Sequence, residues 1–250
     1  MSQTLAPVAF SSWPMKLGHI AHLDRQFPSY LSSWQDGTLH LSPGDTHFGY
    51  VHTGIARVLD EHGFEYQLYP GHAFSLYGPA RVESMGPSTG IVVSREGWRG
   101  FPYITGPIER EGRLKYIDGC TDSLLIPPVR LGDPCLNLLY FPPGIDQTAH
   151  THPSDRIGMI LSGRGRCHAW DRDIVTGEWS ERTIDLVPGM IFTIHTDGKH
   201  KFSTPYGEEL RVLAYHPESD FGPRDEDHPM LNRTMVDGVS ASKIEAIRTK

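Results

Sequence analysis

The stretch TGIARV (Thr53 to Val58) returns later in the chain as SGRGRC (Ser162 to Cys167), and LYPGHAFSL (Leu68 to Leu76) returns as LVPGMIFTI (Leu186 to Ile194), in the same order. A chain that repeats two turn-and-strand signatures in order is constrained to fold as two similar units. In each echo a Gly or Pro-Gly precedes a short aliphatic or β-branched run, the pattern of a turn entering a strand. The offset between copies is 109 residues at Gly54 and Gly163 but 118 at Pro70 and Pro188, so the second copy carries about nine extra residues. The segment DRDIVTGEW supplies them, as a hairpin turning at Thr176 and Gly177. With 26 Gly and 20 Pro, the chain suits many short strands better than long helices, and the expected fold class is all-β.

A length of 250 residues suits one large domain or two small ones, and lets roughly 75% of the unfolded surface be buried. Residues 94–119 are rich in Gly, Pro and charge and read as a connector, dividing the chain into units 1–112 and 113–250. SLLIPPV and LNLLYFPPG then read as strands entering the second unit. The tail from about Pro217 is polar and turn-rich; it is expected to cover an edge or an opening, with Ser240 or Ser242 capping a short helix.

The net charge of −7 is spread without blocks, which argues against a nucleic-acid partner. No apolar run approaches the ~18 residues a membrane span needs, and the first thirty residues lack a charged start followed by an apolar segment. No membrane partner and a cytoplasmic location are therefore expected. Three cysteines without CxxC spacing (Cys120, Cys135, Cys167) read as inert buried thiols.

In GIDQTAHTHPSDRIGMILSGRGR, His150 and His152 stand one residue apart. In an extended segment residues i and i+2 point to the same face, so both imidazoles project together, and Pro153 places them near a strand mouth. A third imidazole, His200, lies just beyond the short strand that follows the Pro188-Gly189 turn. Three neutral imidazoles suit Fe(II), Zn(II), Ni(II) or Cu(II) and leave coordination positions open.

These residues resemble the cupins, small β-barrels of the jelly-roll type. Gly144, His150, His152 and Gly163 fit the spacing of the first cupin motif, with Arg156 where its glutamate belongs. Gly189 and His200 fit the second, with His195, Asp197 and Thr204 replacing its proline, glycine and asparagine. The motifs cover about sixty residues, and the internal echo extends the likeness to most of the chain as a bicupin: two tandem jelly-roll units. The repeat offsets map His150, His152 and His200 onto Leu41, Pro43 and Val82, so only the C-terminal unit is expected to bind metal, and the N-terminal one is expected to be degenerate. The first unit's His47, His52, His62 and His72 fall at none of these positions and read as exposed or hydrogen-bonded histidines.

The resemblance implies further expectations. Many cupins use the glutamate as a fourth ligand. Arg156 cannot ligate, because guanidinium stays protonated, and Asp155 is one residue off register. A three-histidine site resembles the non-haem iron cupins in which the substrate supplies the missing anionic ligand. The expected function is that of a mononuclear Fe(II) dioxygenase oxidising a small polar acid with O2: a thiol such as cysteine, a dicarbonyl or a hydroxyaromatic acid. The alternatives are a lyase, isomerase or dehydratase using Zn, Ni or Mn without O2, and a non-catalytic small-molecule-binding bicupin. Arg156 either clamps a substrate carboxylate or pairs with Asp155 or Asp185 at the surface. His195 and Tyr140 are the candidates to move protons, and Asn137, Arg166 and His168 are further candidates for the pocket. A homodimer is a family-level implication.

Overall fold

Short apolar runs bounded by Gly and Pro become strands along the whole chain. The structure is a computed structural model that describes residues 8–23 and 26–249. After β1 (Phe10–Trp13), the first unit is built from β2 (Gly18–Leu23), β3 (Ser29–Gln35), β4 (Thr38–Leu41), β5 (Thr46–Thr53), β6 (Ala56–Asp60), β7 (Glu65–Leu68), β8 (Ala73–Tyr77), β9 (Ala80–Ser84), β10 (Thr89–Arg95) and β11 (Tyr103–Thr105). The second unit holds β12 (Leu114–Lys115), β13 (Thr121–Ile126), β14 (Cys135–Phe141), β15 (Arg156–Gly163), β16 (Gly165–Arg172), β17 (Trp179–Leu186), β18 (Ile191–Ile194), β19 (His200–Ser203) and β20 (Leu210–His216). The all-β expectation holds.

In the first unit a six-stranded sheet (β11-β8-β5-β10-β3-β2) faces a four-stranded one (β4-β9-β6-β7). In the second a seven-stranded sheet (β1-β18-β15-β20-β14-β13-β12) faces a three-stranded one (β17-β16-β19). Each pair of sheets encloses its own core. Trp34, Leu41, Phe74, Val82 and Val92 fill the first barrel, while Phe10, Phe141, Ile160, Phe192 and Phe202 fill much of the second. A further apolar layer, including Phe48, Ile91, Leu138 and Tyr215, joins the outer faces of the two large sheets; the Phe48 and Tyr215 rings lie 5.1 Å apart.

The echoed glycines have a steric cause. Gly54 just after β5 and Gly163 at the end of β15 both have positive φ, 68° and 82°, and a Cβ there would collide with the backbone carbonyl of Pro87 or of Glu209. The extra residues of the second copy are present as the β16–β17 hairpin, whose turn is closed by Asp173 accepting from Val175 and Thr176 N–H.

Two placements differ from the sequence reading. Residues 10–13, within the segment assigned to the first unit, pair with β18 in the sheet of the second. That pairing covers an edge β18 would otherwise expose and stacks Phe10 on Phe192 with ring centroids 5.5 Å apart. The connector also carries structure: β11 extends the first large sheet and β12 the second. In the tail, Ser240 caps a short 3-10 turn (Ala241–Lys243) as expected, but the α-helix, α1 (Pro229–Arg233), precedes it and is capped by His228. No helix among the described residues is long and apolar enough to cross a membrane.

Candidate metal centre

The segment Gln147 to Asp155 is not a regular strand; His150 is held by a bridge to His200, with N–H to O distances of 2.9 and 3.0 Å in the two directions. The backbone of His152 is held next to it, its carbonyl accepting from the Asp197 N–H at 2.8 Å. Asp197 stands at the motif's glycine position with φ of 57°, a left-handed conformation that Asp tolerates better than most side chains. These backbone bonds bring the three imidazoles together: ring centroids lie 4.5 Å apart for His150 and His200, 5.0 Å for His150 and His152, and 5.2 Å for His152 and His200.

Their chemistry suits a cation. His150 Nδ1 lies 2.8 Å from the Thr148 carbonyl and His200 Nδ1 3.0 Å from the Gly198 carbonyl. A carbonyl only accepts, so each Nδ1 carries the proton and each Nε2 keeps its lone pair; such outer hydrogen bonds orient imidazole ligands. Burial pushes the His200 pKa down to about 3, and burial together with the Arg156 charge pushes that of His152 lower still. These two are therefore neutral, as ligands must be. Their ligating atoms lie within 4.8 Å of one another, the one such group among the described residues. An all-imidazole set of this size fits a first-row divalent ion with open positions.

The positions that the repeat maps onto this group are apolar in the first unit: Leu41 and Val82 belong to its core. The first-unit histidines are used structurally. His47 is fully buried and bonded to Ser94 Oγ and two carbonyls, and His72 bonds the Tyr69 carbonyl.

The triad opens into a cavity of about 310 Å³ inside the second barrel. Its lining is apolar at Leu139, Phe141, Phe192, Phe202 and Val212 and polar at Arg156, Asn137, Asp122 and His216. By strand register, Ala214 of this wall stands where Val92 fills the first barrel, both lying opposite the glycine pair Gly158 and Gly49. Tail residues Asp220 and Phe221 and the connector's Tyr116 complete the lining, so the tail does border an opening.

Arg156 is 8% exposed. Its Nη1 donates to the Ser154 carbonyl at 3.2 Å and to Ser154 Oγ, and its ion-pair partner is Glu218 at 3.6 Å, not Asp155 or Asp185. Asp155 instead accepts from Thr196 N–H and Oγ1 at 2.7 and 2.9 Å and does not join the imidazole group.

Four sequence candidates lie outside the cavity lining. Tyr140 is on the opposite face of β14 from Asn137, Leu139 and Phe141, and its hydroxyl donates to Glu209 at 3.2 Å. His195 Nε2 is engaged with Ser11 Oγ at 2.8 Å beside β1. Arg166 pairs with Asp185 at 3.3 Å, and His168 with Glu181 at 2.8 Å. The cavity's Asp122 and His216 were missed by sequence reasoning, although a lone acid just before SLLIPPV and a histidine ending VLAYH are polar breaks in apolar strands. Burial pushes the Asp122 carboxyl up to about 6, against a hydrogen bond from Asn137 that acts the other way. Burial holds His216 neutral.

No family model and no curated protein matches the chain. Solved structures do. A cupin 2 conserved barrel domain protein from Leptotrichia buccalis has a TM-score of 0.54 at 13% identity, over 86% of this chain and 91% of that one. A protein from Pseudomonas aeruginosa described as glyoxylate-induced has a TM-score of 0.59 at 13% identity, over 86% and 81%. Bacillus subtilis oxalate decarboxylase, studied for its Mn(II) centres, has a TM-score of 0.51 at 13% identity, over 84% and 76%. The chain has the cupin fold, in two tandem units.

Proposed function

We propose that this cupin-fold chain is a metal-dependent enzyme acting on a small organic acid, and specifically a mononuclear Fe(II) dioxygenase. The observation that carries the reading is a cluster of three imidazoles with no carboxylate among them, sharing one cavity with the guanidinium of Arg156. Imidazoles add no charge, so an ion held by His150, His152 and His200 would keep its full positive charge beside Arg156. Glu218, at 3.6 Å, offsets one of those charges, and Asp122 and Asp220 also line the cavity, but none of the three belongs to the imidazole group. An anionic ligand would balance the ion's charge at the ion itself, where low-dielectric surroundings make that most favourable. When bound, Fe(II) would supply a Lewis acid with room for both substrate and dioxygen.

The chain's own residues then divide the work. Arg156 binds the acid group by charge-assisted hydrogen bonds. Phe141, Phe192 and Phe202 pack the substrate's body and exclude water. A cavity of 310 Å³ is at the small end for ligand sites, which selects small substrates. Three buried free thiols fit a reducing, cytoplasmic compartment. A decarboxylase or other lyase working without O2 is the second reading, favoured by the likeness to the Mn(II)-containing oxalate decarboxylase.

The deciding experiment is elemental analysis of protein purified without oxygen, followed by oxygen-electrode traces with Fe(II) and a panel of thiols, dicarbonyls and hydroxylated acids. Near-stoichiometric iron with substrate-dependent uptake supports the dioxygenase. Bound metal without uptake on any member favours the lyase, and no bound metal leaves a binding protein.

Arg156→Ala should leave metal content unchanged while raising the KM for the acid about 10- to 100-fold, the loss expected of a charge-assisted hydrogen bond of ~1.5–3 kcal/mol. Loss of metal in this variant would mean that Arg156 braces the site and does not bind substrate.

A further inference from the structure

We infer that Asp122 is the proton acceptor of this cavity, the residue that takes up a proton when a ligand binds there as an anion. The inference rests on the reading of the cavity as the binding site of an anionic ligand, and it supplies the base which that reading lacks.

A thiol, enol or phenol that is to become an anionic donor must lose its proton to some group. The two residues expected from the sequence to move protons, His195 and Tyr140, do not line the cavity. The three imidazoles are taken up by the ion, and Lys115 and Arg156 are cations with no lone pair to offer. The Tyr116 phenol and the nearby Cys135 thiol keep their own protons, because burial pushes both up, Cys135 to about 12. Burial, and then the Arg156 charge, hold His216 neutral, so both oppose a second cation forming beside that guanidinium. Glu218 is occupied by the Ser154 hydroxyl and Arg156, and Asp220 is exposed to solvent. Among the described residues of the lining, Asp122 is left.

Its placement fits the task. Asp122 pairs with Leu114 of β12 on one side and with Leu139 of β14 on the other, and directly opposed residues of antiparallel strands share a sheet face. All three line the cavity, whereas the next residue, Ser123, turns away and donates its hydroxyl to Glu109. Asp122 is only partly buried, so it is not sealed off from the space it borders. The Asn137 side chain holds the carboxylate by a hydrogen bond, and burial outweighs that bond to bring the carboxyl up to about 6. At neutral pH the group is therefore ionised yet close to taking a proton, the condition for an efficient base. The exchange balances within the cavity. The ligand's S–H or O–H bond breaks, its electron pair stays on the ligand as the anionic donor, and the proton joins an Asp122 oxygen, from which it returns to product or water on release.

The test counts protons. Calorimetric titrations of Zn(II)-loaded protein with thioglycolate, salicylate and benzoate, each in two buffers of different ionisation heat, give the protons exchanged per ligand bound. At about pH 7.5 the unaltered protein should release roughly one proton fewer per ligand than Asp122→Asn, because its carboxylate absorbs that proton. At about pH 5 the carboxyl is already protonated, and the difference should vanish. Asp122→Ser, also neutral, should give the same count as Asp122→Asn. For any acid turned over in the oxygen-electrode panel, Asp122→Asn should lower kcat/KM ~100-fold or more and remove its rise with pH through about 6. Equal proton counts in unaltered and variant proteins at about pH 7.5 overturn the inference and leave the binding reading standing. Failure of all three ligands to bind removes that reading, and this inference with it.

Discussion

Protein carrying His152→Ala is expected to bind metal more than about 100-fold more weakly than the unaltered chain and to be purified nearly metal-free, with its thermal transition intact. Loss of an outer hydrogen-bond partner alone costs ~10–100-fold in metal affinity, so loss of a ligand costs more. The fold should survive because His152 lies outside regular strands and its backbone contact, from its carbonyl to the Asp197 N–H, does not use the side chain. Removing a neutral imidazole also leaves no charge stranded. His72→Ala is the control: it sits in the first unit, its ring bonded to the Tyr69 carbonyl, and its metal content should match the unaltered protein. Equal loss in both variants, read by elemental analysis, would overturn the assignment of the ion to the second barrel.

The second large effect is expected from Ala214→Phe. Ala214 is 5% exposed and faces the cavity between Gly158 and Asn137. In the first barrel the equivalent position is Val92, fully buried in a core that also holds Leu41 and Val82. A phenyl ring added to a space of 310 Å³ occupies a large part of it. Substrate kcat/KM should fall on the order of 100-fold or more, since misplacing a bound substrate by ~1 Å can already cost that much. Metal content should not change, because the triad is positioned by other segments. Unchanged turnover would place the substrate outside this cavity.

How much of this was legible beforehand differs from residue to residue. The two-unit fold was readable because Gly54 and Gly163 each sit at a positive φ, a local constraint, which the approach of a distant carbonyl (Pro87 or Glu209) then reinforces. The triad was readable because HxH geometry and the Pro-Gly turn before His200 are local as well. Asp155 is not part of the imidazole group and accepts from Thr196 instead, although it does not lie on the regular strand that its phase argument assumed. Tyr140 was not readable as an outward-facing residue: strand parity is known only once register is known, and β13–β14 and β15–β20 both shift register at irregularities. His195 was misjudged as a pocket candidate for another reason. Its partner, Ser11, lies 184 positions away on a strand that crosses from the chain's beginning.

The sequence by itself determined that this chain would be two echoing β units with three imidazoles in reach of one another, because turns, alternation and short spacings are encoded within a few residues. Only the tertiary structure decided what shares the cavity with them. Arg156, Asn137, Asp122 and His216 come from four separate strands or strand margins, and bringing them to one wall depends on inter-strand register, on which sheet face each side chain takes, and on burial. Those are properties of contacts between distant segments, and no local pattern carries them.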